Sequence, residues 1–155
     1  MPRLPDRFDL FVRQARESAE PERQGDLILG ALAGLKEWHF LNLGTAEKPN
    51  AAQTEIEDER YLLVFSDAGR IEDAIPDKGR RPALITIPTA TALAWCVECR
   101  VGVLVNPPED AALIPFAHVE AFYRAWKVRG EKKASGFWIP NMTSEEEDFW
   151  QEHGY

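Results

Sequence analysis

The chain has 155 residues, 45% of them hydrophobic, which is enough for one domain with its own core and no disulfide framework. Its 26 acidic residues against 18 basic ones give a formal net charge of -8, a field that repels phosphate backbones and anionic lipid and argues against nucleic-acid or membrane-surface binding. No apolar run approaches the roughly 20 residues of a membrane span, Met1 to Asp6 lack the apolar stretch of a secretory leader, and two cysteines demand no oxidising compartment, so a cytoplasmic protein is expected.

Asp6 is placed to cap a first helix in which Phe8, Phe11 or Val12, Ala15 and Ala19 recur on one face. Pro21 suits the first turn of a second helix carrying Leu27, Ile28, Ala31, Leu32 and Leu35, so the opening reads as a helical pair. Trp38 to Leu43 reads as a strand with its aromatics on one face. From Ala46 to Arg60 the chain turns polar and is expected to form a solvated loop between antiparallel strands. Tyr61 to Phe65 is apolar without alternation, the pattern of a central strand covered on both faces.

Ser66 or Asp67 then caps a short helix through Ala74, and a third strand is expected over Ala83 to Ile87. Thr89 or Thr91 is the expected cap of a helix ending near Cys99, followed by a fourth strand over Val101 to Val105. Strand, helix, strand, helix, strand favours parallel neighbours. Leu113 to Phe116 is a short extended piece, and Val119, Phe122, Tyr123 and Trp126 make an amphipathic C-terminal helix. The expected fold is α+β: a single mixed sheet of about four to five strands with helices packed on it, in one domain over 1–155 with its core at about 38–127.

Phe65-Ser66-Asp67-Ala68-Gly69-Arg70-Ile71 and Gly102-Val103-Leu104-Val105-Asn106-Pro107 resemble the strand-to-helix step and the strand-and-turn of the SseB N-terminal-domain family (enhanced serine sensitivity protein B). The resemblance covers roughly Trp38 to Trp126. It implies a bacterial α+β domain and brings no catalytic set with it. If the two strands are parallel, Ser66, Asp67, Arg70 and Asn106 gather at their carboxyl ends, where open α/β sheets often place ligands, and form a candidate ligand or partner surface. The structural alternative is that Ser66 and Asp67 cap a helix and Asn106 with Pro107 makes a turn.

Cys96-Val97-Glu98-Cys99 is the sharpest chemical pattern, but both sulfurs fall near the end of a helix, where the dipole opposes a thiolate. Cys96, Cys99 and His118 are the candidate ligands of a metal site, without the spacing of a complete zinc set. His39, inside a strand, reads as a satisfied or edge histidine. In the tail, 129–155, Phe137, Trp138, Phe149 and Trp150 stand beside the acidic run that starts at Glu145. Aromatic anchors with a charged rim suit a protein interface, and packing back onto the domain is the alternative.

The composite expectation is a non-catalytic protein-binding or regulatory module with a protein partner and no cofactor, for which a homo-oligomer is a compatible assembly. The alternatives are a small metal- or thiol-dependent enzyme using Cys96 and Cys99, and a small-ligand sensor at the strand ends.

Overall fold

Apolar residues at helical spacing place Phe8, Val12 and Ala15 on the buried side of α1 (Arg7–Ser18), and Leu27, Ile28, Ala31 and Leu32 on that of α2 (Pro21–Ala33). The computed structural model describes residues 7–18, 20–74, 83–107, 111–130, 139–140, 142–145 and 148. The proposed cap at Asp6 and the four tail aromatics Phe137, Trp138, Phe149 and Trp150 lie outside the described residues.

The remaining elements are β1 (Glu37–Leu41), β2 (Gln53–Ile56), β3 (Glu59–Val64), α3 (Gly69–Ala74), β4 (Leu84–Pro88), α4 (Thr89–Cys99), β5 (Gly102–Val105), β6 (Ala112–Ile114) and α5 (Phe116–Ala125), the last running into a π-helical turn. Two ladders result, an antiparallel β1–β4 pair and a four-stranded sheet of order β2-β3-β5-β6 in which β3 and β5 are parallel. Among the described residues six strands therefore stand in two ladders, where a single sheet of about four to five was expected. The class, mixed α+β with helices packed on the sheets, is as expected.

The ladders touch. His39 and Phe65 exchange backbone hydrogen bonds (3.1 and 2.8 Å), and Asn42 bridges Ala51. Beside them the Ala52 N–H donates to the Leu41 carbonyl (2.9 Å) while its own carbonyl accepts from the Leu63 N–H (3.1 Å). β1 thus lies between β4 and β3, an antiparallel strand inserted into the expected parallel neighbours.

The polar stretch expected as a loop holds β2 and the start of β3. Glu57 and Asp58 both adopt positive φ (52° and 67°) between the paired Ile56 and Glu59, the two-residue hairpin turn that matches strand twist. Gln53, Glu55 and Ile56 are exposed, so β2 is an edge strand held mainly by its backbone ladder and carries no apolar alternation. The true loop is shorter and ordered, with the N–H groups of Gly44 and Asn50 both donating to Asn42 Oδ1 (2.9 Å each).

Directly paired residues project to one side and alternate residues to opposite sides, so register assigns two faces. On the first, Trp38, Phe40, Leu62, Val64, Val103 and Val105 are buried in one core with the apolar sides of α1, α2, α4 and α5. Trp38 donates its indole N–H to the Leu32 carbonyl (2.9 Å), and Phe40 meets Trp95 edge-on at 5.4 Å. The second face is half open. Across it, register aligns Leu84, Leu41, Ala52, Leu63, Leu104 and Leu113, with Leu84 and Leu113 at the two ends 42% and 44% exposed. β3 is central, as its apolar run suggests, and on this side Tyr61 and the following Phe65 are buried while Leu63 between them is half-buried.

Tyr61 lies over Gly102, its cross-strand partner on the second face. A methyl group at Gly102 would meet the Tyr61 ring at 2.8 Å and the Ile114 carbonyl of the β5–β6 ladder. Gly102→Ala is expected to destabilise the fold by about 1–3 kcal/mol, read as a lower urea midpoint. An unchanged midpoint would contradict this packing.

Candidate functional site

The chain leaves β5 through Asn106, whose φ of 52° places it in the left-handed region that Asn tolerates, and Pro107 fixes the exit. Its N–H donates to the Val64 carbonyl (2.8 Å), prolonging the parallel ladder by one residue. Asn106 Oδ1 accepts the Ser66 N–H (2.9 Å), and its Nδ2 donates to Ser66 Oγ (3.0 Å). Asn106 is buried at 4% exposure, so this amide serves as a clip between the ends of β3 and β5.

Asp67, exposed, accepts the Gly69 N–H at Oδ1 (2.7 Å) and so starts α3, the capping role its sequence position suggests. Arg70 points away from solvent. Its Nη2 lies 2.8 Å from Asp9 Oδ2, with both side chains under a tenth exposed, so the ion pair fastens α3 to α1. A buried pair of this kind resists removal of either partner, because the remaining charge is then left uncompensated. The structure thus brings Ser66, Asp67 and Asn106 together at the strand ends and turns Arg70 inward. Ser66 is half-buried, which leaves Asp67 as the accessible member of the four.

α4 starts after Pro88 with no side-chain cap: Thr89 sits inside the first turn and donates its hydroxyl to the Leu35 carbonyl, in place of the capping role expected of Thr89 or Thr91. Cys96 and Cys99 end the helix, one buried and one exposed, both free. Burial, with a smaller contribution from Cys99, pushes the Cys96 thiol up to about 12. It is therefore a poor nucleophile and a poor ligand at neutral pH.

His118 is engaged elsewhere. Its Nε2 lies 2.7 Å from Asp26 Oδ1 on α2, and Asp26 Oδ2 receives Arg23 Nη1 at 3.1 Å. The same Nη1 donates to the Pro140 carbonyl (2.7 Å), and Ile139 is fully buried, so residues 139–140 fold back on the helical layer. Gly25 admits the imidazole, since a Cβ there would stand 2.5 Å from its ring. This cluster was not visible in the sequence, because its members are 92 and 117 residues apart. Among the described residues no three of His, Cys, Asp and Glu gather to hold a metal ion, so the set of Cys96, Cys99 and His118 is not assembled. His39 Nδ1 bonds Thr86 Oγ1 across the β1–β4 pair (2.9 Å), a satisfied histidine.

No family model, curated protein or solved structure matches this chain. Among the described residues no helix is long and apolar enough to cross a membrane.

Two outcomes check the site. Asn106→Ala loses the Ser66 clip and strains the left-handed turn, a cost of about 2–3 kcal/mol, whereas Asn106→Gly keeps the turn and is expected to lose about 1 kcal/mol less. Equal losses in urea unfolding would assign the effect to the clip alone. For the cysteines, Cys99 is expected to react with a disulfide reagent at pH 8 in the folded chain and Cys96 only on unfolding. Because the folded Cys96 keeps its proton to higher pH than the unfolded chain, its contribution is complete below the ordinary value of 9.0 and is lost as pH rises towards about 12. Cys96→Ala is expected to flatten that decline.

Proposed function

We propose that this chain is a non-catalytic protein-binding module of the SseB-like kind, and that the half-open second face of the sheet is its contact surface. The row from Leu84 to Leu113 carries this reading. It is a row of five leucines on β4, β1, β3, β5 and β6, exposed at its ends and half-buried between, with Ala52 buried within it and Ile56 (37% exposed) beside it, on the face away from the helical core. Exposed apolar patches on a protein surface are a usual mark of an interaction site.

The strand-end residues support the module reading in a different way. Ser66 and Asn106 tie the ends of β3 and β5 together and Arg70 fastens α3 to α1, which suits a preorganised contact surface. A bacterial origin, a cytoplasmic location and an SseB-like relationship belong to this proposal. Its support is that the two motif segments end adjacent parallel strands, joined at Ser66 and Asn106.

Site-resolved photocrosslinking in cells tests it. Benzoylphenylalanine in place of Leu113 is expected to yield a defined protein adduct that is absent when the same group replaces Glu98, an exposed residue of α4. Adducts of equal yield at both positions, or none at 113 in folded protein, would overturn the reading.

A further inference from the structure

We infer that the leucine row is a docking groove for a basic amphipathic helix of a partner protein, an inference that rests on the module reading and adds the partner's chemistry. Six aligned positions on neighbouring strands span five inter-strand gaps of about 4.8 Å, or about 24 Å. That is the length of a helix of about 16 residues, and a helical pitch of about 5.4 Å brings an apolar side chain to nearly every gap between leucines. Leu84 and Leu113 at the ends of the row are exposed and Leu41, Leu63 and Leu104 are half-buried, so a helix lying along it meets five leucines, with Ala52 buried between Leu41 and Leu63.

Charge selects the helix. By register, the formally charged strand positions on this face are Glu37 and Glu59, both exposed. They lie on opposite sides of the row, because β1 and β3 run antiparallel and each glutamate stands four residues before its row leucine, Leu41 or Leu63. The exposed Glu57 and Asp58 of the hairpin turn add negative charge beside Glu59. Lysines or arginines flanking an apolar stripe would meet an acid on either side. A second copy of this chain fits poorly, since it would set these acids against their equivalents in two molecules each carrying -8.

The test uses two synthetic 16-residue amphipathic helices, one of Leu and Lys and one of Leu and Glu, with binding read by fluorescence anisotropy on the full chain. The Leu/Lys helix is expected to bind at least about tenfold more tightly than the Leu/Glu helix. The double variant Leu84→Asn with Leu113→Asn changes no charge and alters only exposed side chains, so it is expected to fold, which circular dichroism checks. It is expected to weaken Leu/Lys binding by about tenfold, a loss that general attraction to an acidic protein would not produce. Glu37→Gln with Glu59→Gln is expected to flatten the salt dependence of that binding.

Equal affinity of native chain and double-asparagine variant, or a Leu/Glu helix that binds as well, would overturn the inference. So would sedimentation showing a native dimer that the double variant abolishes. If a protein adduct forms at position 113 while the peptide comparison fails, the helix chemistry is wrong and the module reading stands. Failure of both removes both.

Discussion

Ala52 joins two ladders that would otherwise be separate. Its N–H reaches the Leu41 carbonyl and its carbonyl takes the Leu63 N–H, so its backbone fills a strand's place between β1 and β3 where the two diverge. Below it, His39 and Phe65 close the remaining gap directly. The surface from β4 to β6 is continuous because of these few bonds. Its two faces follow from that continuity: register carried through the joint puts Trp38, Phe40, Val64 and Val105 on the helical side and the leucine row on the other.

The rest of the molecule braces this sheet. Asn106 ties the ends of β3 and β5, the Asp9–Arg70 pair fixes α3 to α1, and Arg23 with Asp26 and His118 binds α2, α5 and residues 139–140 into one helical layer. Asn106, Arg70, Asp26, His118 and His39, which look chemically promising in isolation, are each engaged with another part of the fold.

How much of this was legible follows from which interactions leave a local mark. β3, β5 and the amphipathic helices announce themselves through apolar runs and spacing, and Asn106-Pro107 announces a turn because both residue types act on their own backbone. β2 leaves no such mark, since three of its four side chains face water and its turn uses Glu57-Asp58 in place of the glycine that usually signals a hairpin. The insertion of β1 between β4 and β3 is invisible for another reason: strand order is decided by long-range pairing, and Ala52 carries no label of its role. Asp9 with Arg70 and Asp26 with His118 are likewise ordinary charged residues until the helices bring them together.

Residue-resolved amide hydrogen exchange at the joint tests the continuous sheet most directly. The N–H groups of Ala52, Leu63, Phe65 and His39 are predicted to exchange as slowly as those of Val103 and Val105 in the core ladder. Exchange at these four as fast as at Gly44 and Lys48 in the exposed loop would mean that the ladders are independent, and with them the aligned leucine row and the function proposed for it would fall.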